Sequence, residues 1–257
     1  ARILPPPSPA RPTRVRRRCW SCAICAYICA PSAVSSRRCA GWTSRSGAQI
    51  WFHLGRTGSG EIEIFGLTPF FDGKSDVALT IRRAVQRASD NAFEGNLEGL
   101  IETQDGDGYP IAFDAVDFAL SGAQELPVKR RVRLSAFAHD VMGYKDEAAY
   151  DAAAEQTAGV VFAAQCFVPL GMMASEQAEE GAPPPQPVSP ALAYFSGRVV
   201  QSSRLVNEKT GHEFAWLQVE TLGAVLDVVA DPSIVDGVVV EDGIVVVNAV
   251  LFVRILA

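Results

Sequence analysis

Apolar and polar residues alternate with a period of two through much of the chain beyond Gly60, and that spacing predicts strands. Glu61-Ile62-Glu63-Ile64-Phe65 is the first such stretch and stops at Gly66. Residues 75–91 break the rhythm. Val77, Ile81, Ala84, Val85 and Ala88 fall on one helical face with Arg82, Arg83 and Arg87 opposite, which predicts an amphipathic helix. Strands are predicted at 97–103, 109–118 and 128–138, then an Ala-rich helix at 146–157 and a strand at 160–169. Residues 174–190 carry Glu176, Glu179, Glu180 and Pro183-Pro184-Pro185 and predict a semi-rigid, solvated linker. Beyond it strands follow at 193–202, 212–221, 224–230, 238–241 with 244–247, and 249–256. Turns are marked by 207–211, Gly223 and Asp242-Gly243, and 231–236 has room for one helical turn.

The two halves share a weak repeat. Leu97-Glu98-Gly99-Leu100-Ile101 matches Phe195-Ser196-Gly197-Arg198-Val199, and Ala164-Gln165-Cys166-Phe167-Val168 matches Ala249-Val250-Leu251-Phe252-Val253. Five strands with a helix between the third and fourth resemble the OB-fold, in strand count and order rather than in any diagnostic motif. The fold class expected is therefore mainly β with a few helices: two OB-like five-stranded barrels joined by a Pro/Glu-rich linker. The domains read as a strand–helix lead-in plus a first barrel over 61–173, the linker over 174–190, and a second barrel over 191–257.

Charge divides the chain differently. Residues 1–60 hold ten arginines and no lysine, aspartate or glutamate, whereas residues 61–257 hold 13 Lys+Arg against 29 Asp+Glu, a net of −16. So acidic a body disfavours a polyphosphate backbone as partner, although a local basic stripe is compatible with the count. The basic segment shows no core periodicity, and its Arg, Cys, Pro, Ser and Trp content is what a shifted reading frame in GC-rich DNA yields. Residues 1–60 are thus read as a disordered or spurious extension, with the folded chain starting near Ser59. A secretory signal over 14–33 is the alternative, with a secreted rather than cytoplasmic protein as its consequence. No apolar run reaches the length of about 18 residues that suggests a membrane-spanning helix.

The sharpest motif lies in that segment. Cys19, Cys22, Cys25 and Cys29 have the spacing of a bacterial ferredoxin cluster run. In those proteins the fourth thiolate serves a second cluster held by a second run, and this chain has no second run. An iron–sulfur redox protein is therefore the least supported of three functional readings, and no cofactor is expected. Gly73-Lys74-Ser75 fails as a phosphate loop, because Thr68 stands where the first glycine belongs and Pro69, Phe70 and Phe71 fill the loop. Asp105-Gly106-Asp107-Gly108 fails as a calcium loop, with Tyr109 and Val116 where ligands are needed, and reads as a hairpin turn.

Three histidines (His53, His139, His212), no Gly-x-Ser-x-Gly elbow and a Cys166 set in an apolar strand leave no readable catalytic constellation, so a non-enzyme is expected. The remaining candidate is a surface. With Ala215, Leu217 and Val219 facing a barrel interior, Phe214 and Trp216 turn outward. Tyr194 and Arg198 join them from the preceding strand as a stacking platform for bases or sugars, or as a face packed on the other barrel or a partner. The expected function is a non-enzymatic binding protein acting through protein contacts or self-association, with an oligonucleotide- or oligosaccharide-binding module as the alternative.

Overall fold

The computed structural model describes residues 47–56, 62–87, 90, 94–102, 108–116, 118, 125–156, 162–176 and 189–256. The cysteine run and residues 105–107 of the tetrad lie outside them. Twelve strands run in the order β1 (Ala48–Arg56), β2 (Ile62–Phe71), β3 (Asp76–Val85), β4 (Asn96–Glu102), β5 (Gly108–Ala115), β6 (Val128–Tyr144), β7 (Cys166–Val168), β8 (Leu192–Val206), β9 (Glu213–Thr221), β10 (Ala224–Ala230), β11 (Val235–Gly237) and β12 (Ile244–Ile255). Among the described residues, helix α1 (Glu147–Glu155) follows β6, helix α2 (Leu170–Glu176) follows β7, and Pro232–Ile234 forms a 3-10 turn. Helix α1 starts where Asp146 accepts a hydrogen bond from the Ala149 N–H, an ordinary N-cap. The mainly β class with few helices holds.

Three expectations are corrected. Residues 76–85 form a strand, not a helix: Val77, Leu79 and Ile81 are buried at every second position while Asp76 and Ala78 face solvent. The helical pattern over 75–91 and the strand pattern over 77–81 share the same apolar residues. Tertiary pairing with β4 and β6 decides between them. The folded chain also begins before Ser59, because β1 lies inside the charge-defined extension and pairs antiparallel with β2 along its whole length. Ala48-Gln49-Ile50-Trp51-Phe52-His53-Leu54 is a strand-like run between glycines that composition averaged over sixty residues conceals. Finally, α2 enters the segment assigned to the linker, 162–165 are not strand, and Val238, Val239 and Val240 form a loop after β11.

The larger sheet does not divide at residues 174–190. Strands β6 and β12 pair antiparallel from Ile244↔Tyr144 to Ile255↔Val132, and each then pairs with strands from both halves. The first part of β6 pairs with β3 and the later part, parallel, with β10; the first part of β12 pairs with β8 and its end, parallel, with β5. The pairings trace two rings, β3-β4-β5-β12-β6 and β8-β9-β10-β6-β12, which share their last two strands. One apolar core, from Val77 on β3 to Val253 on β12, fills both.

Apart from the short strands β7 and β11, the pairing scheme maps onto itself when β3, β4, β5 and β6 are exchanged with β8, β9, β10 and β12. Backbone bonds outside the ladders obey the same exchange: Leu134 N–H donates to Ser75 O (3.3 Å), and Leu251 N–H donates to Ala191 O (3.0 Å). The internal repeat is therefore real in topology but different in register from the sequence match, which set β4 against β8. Missing β3 moved the count by one strand.

Candidate functional site

The aromatic platform expected on β9 exists as side chains and not as an open surface. Leu217 and Val219 enter the core and Ala215 packs against it, so Phe214 and Trp216 turn outward as alternation requires. There they meet Phe71 at the end of β2, with ring centroids 6.1 Å from Phe214 and 6.2 Å from Trp216. Phe70, Phe71, Val116, Phe137, Trp216, Val229 and Phe252 make a second apolar cluster, and Trp216 is only 5% exposed. The hairpin β1–β2 thus occupies the face that would have stacked a ligand.

Tyr194 and Arg198 stand elsewhere. Arg198 lies opposite Glu220 and Phe214 opposite Leu205, a separation along β8 of roughly 23 Å at about 3.3 Å per residue. Arg198 is exposed and 3.9 Å from Asp242, whereas Tyr194 packs on Phe162 with centroids 5.1 Å apart. Burial, with Tyr150, Cys166 and Tyr144 nearby, pushes the Tyr194 hydroxyl up to about 12. The four predicted residues therefore do not form one site.

Cys166 behaves as a packing residue. Ser196 Oγ lies 2.7 Å from Ala163 O and 3.2 Å from Cys166 Sγ. A hydroxyl has one proton to give, so with that proton on Ala163 the Cys166 contact is completed by the thiol S–H. His53 is buried on β1 with Nε2 2.8 Å from Thr68 Oγ1, and burial, partly offset by Glu94, lowers its pKa. His139 on β6 is lowered by burial as well.

Carboxylates that the sequence reading passed over organise the junctions. Asp227, in the middle of β10 and wholly buried, accepts hydrogen bonds from Lys74 N–H (2.7 Å), Ser75 N–H (2.7 Å) and Trp216 Nε1 (2.8 Å). A Cβ on Gly73 would sit 2.2 Å from Asp227 Oδ2, so only glycine lets the link between β2 and β3 close on that carboxylate. Lys74 Nζ lies over the Trp216 ring, 5.2 Å from its centroid. The available signal was one charge inside the apolar run Val225-Leu226-Asp227-Val228-Val229.

Asp72 is the second hub. It accepts from Arg133 (2.7 Å), from both Arg254 terminal nitrogens (3.0 and 2.9 Å) and from Gln49 (2.9 Å). Burial works to raise its carboxyl, but the Arg133 hydrogen bond, the Arg254 charge and Gln49 together hold it below the usual carboxylate range. Arg133 and Arg254 are cross-strand partners, and Arg133 also donates to Asp76 at 2.8 Å. Asp72 relieves the repulsion between two facing guanidiniums.

A local basic stripe does exist. Arg82, Arg83, Lys129, Arg130, Arg131 and Arg133 lie on neighbouring strands β3 and β6. Much of it is met by the protein's own acids: Arg83 by Glu98 (2.6 Å), Lys129 by Glu102 (2.5 Å), and Arg131 by Asp76 (3.5 Å).

The third junction holds Asp114 on β5, directly opposite Asn96 on β4, which donates to it through Nδ2. Asn96 is wholly buried, and its Oδ1 has no hydrogen-bond partner among the described residues. Burial pushes the Asp114 carboxyl up to about 7, with Asp90 and Glu94 adding to the rise and Arg87 opposing it. Among the described residues no group of three or more His, Cys, Asp or Glu side chains is arranged to hold a metal ion, and no helix is long and apolar enough to cross a membrane. Comparison with protein-family models, with curated proteins and with solved structures finds no match for this chain.

Proposed function

We propose that the protein is a non-enzymatic binding protein that acts through protein contacts made by its β1–β2 hairpin. The observation carrying this reading is the state of that hairpin. Its base is anchored by Phe70 and Phe71 in the second apolar cluster, while among the described residues its two strands pair only with each other. Among the described residues, then, neither outer edge has a strand partner, and such an edge is a template on which another chain adds a strand. Toward the far end Ile64 and Leu67 are 55% and 47% exposed. On this reading the two rings are OB-like barrels that have exchanged a strand, each with a parallel contact between its third strand and the strand lent by the other half. They serve as the rigid base from which the hairpin projects.

Sedimentation velocity of the full-length chain over a wide concentration range tests self-association through this element. Association abolished by Ile64→Lys with Leu67→Lys, the fold being intact by circular dichroism, is the expected result. A chain that stays monomeric throughout leaves a heterologous partner as the remaining form of the reading. Titration with single-stranded DNA at two salt concentrations addresses the alternative. Strong binding at low salt, lost at high salt, would replace protein contact with an oligonucleotide module.

A further inference from the structure

The exchange of β3–β6 with β8–β12 places Asp114 and Asp227 at equivalent positions. Asp114 lies opposite Asn96 on one side and Phe252 on the other; Asp227 lies opposite Gln218 and Ser135. Phe252 and Ser135 are themselves partners across β6–β12. Each aspartate thus marks the seam where a third strand meets the strand lent by the other half. The Asp227 carboxylate collects two backbone N–H groups and an indole N–H. Asp114 collects one amide, and that amide's oxygen is a buried acceptor with no donor. The β5–β12 seam is also short: Phe252↔Asp114 and Val253↔Ala115, with one further bond from Val116 N–H to Val253 O at 3.0 Å.

The half-buried Asp114 carboxylate accepts from the wholly buried Asn96 amide, whose oxygen has no hydrogen-bond donor among the described residues; a proton on Asp114 would supply one. We propose that Asp114 and Asn96 form a pH-operated latch between β4 and β5, at the edge of the β5–β12 seam. As a neutral acid, Asp114 donates its hydroxyl to Asn96 Oδ1 while accepting from Asn96 Nδ2, closing a doubly hydrogen-bonded acid–amide pair. When the proton passes to solvent, Asn96 Oδ1 is left unpartnered near a half-buried negative charge, and the hold of β4 on β5 beside the seam loosens. The charges around the pair are Arg87, Asp90 and Glu94 from the connection between β3 and β4, with Arg87 held by Asp90 at 3.1 Å. Glu94 also acts on His53 of β1, and β12 presents the uncharged Phe252. Two acids against one arginine leave the local field negative, which favours the protonated form. The direction of the Asp114 shift agrees with the geometry.

Hydrogen exchange of the full-length protein at mildly acidic and mildly basic pH, corrected for intrinsic rates, reads the latch directly. Protection of 108–116 and 250–255 should fall about tenfold or more on the basic side, while 224–230 at the Asp227 seam stays constant. Asp114→Asn keeps an amide-sized partner that needs no titrating proton, and it should abolish the pH dependence. Equal wild-type protection at both pH values, or an unchanged dependence in the variant, overturns the proposal. Should the variant not fold, the carboxyl carbon of Asp114 followed by NMR in the wild type decides: a midpoint within the ordinary carboxylate range overturns it, and one near neutrality supports it.

Discussion

The two seams have the same backbone and opposite chemistry. At β10–β6 a buried aspartate is met by three donors fixed in rigid surroundings, two of them backbone N–H groups from the segment leading into β3. At β5–β12 its counterpart relies on one flexible amide. The lesson is that strand pairing repeats a frame without repeating its polar satisfaction. How firmly a carboxylate ties strands together depends on how many fixed donors reach it.

The comparison breaks most visibly at the clamp. Asp227→Ala would orphan the Lys74 and Ser75 amides and the Trp216 indole, and a loss of about 3–5 kcal/mol is expected in urea denaturation. An unchanged midpoint would mean that the three bonds do not hold the rings together. Gly73→Ala strikes the same clamp from its other side. Its Cβ overlaps the carboxylate, and a loss of about 1–3 kcal/mol in the same assay is expected.

Asp114→Asn sharpens the contrast through pH. A carboxyl whose folded pKa is raised to about 7 makes the folded state bind a proton that the unfolded chain has released. Wild-type stability therefore falls as pH rises from near 4 to near 7. The asparagine variant should match the wild type in acid and exceed it above neutrality by roughly 1–2 kcal/mol, much of the nominal shift being relaxed by water and rearrangement. Parallel stability curves would remove Asp114 from consideration. The smallest effect belongs to the exposed ladder: Lys129→Ala, despite a 2.5 Å contact with Glu102, should leave the urea midpoint almost unchanged, and salt should erase any difference.

Much of the β architecture was legible in the sequence. The strands read at 97–103, 212–221 and 224–230 and the helix read at 146–157 end within about two residues of the observed elements, and the strand read at 128–138 covers the first part of β6 (Val128–Tyr144). Two failures share a cause. Residues 76–85 carry apolar side chains at spacings that serve either period, and β1 is a short run inside a compositionally strange segment. In both, pairing partners distant in sequence settle the outcome. The candidate site was less legible. Alternation gave the outward turn of Phe214 and Trp216, but nothing local to β9 announces that Phe71, some 140 residues earlier, covers them. Asp227 and Asp114 were each visible as a charge within an apolar strand, and their different surroundings come from Lys74, Ser75 and Asn96, which topology alone brings to them.

The sharing of β6 and β12 also bears on how the chain is made. Strand β12 follows every other described strand in sequence, yet both rings need it. During vectorial synthesis β3 to β6 emerge early and must wait, with the Val77, Leu79 and Ile81 faces uncovered, until residues beyond 244 leave the ribosome. The high sequence separation of these pairings implies slow maturation, and the nascent protein should depend on holding chaperones more than a chain of independently closing barrels would. Premature termination before β12 would leave two open sheets instead of one finished barrel and a frayed remnant, a product marked for proteolysis.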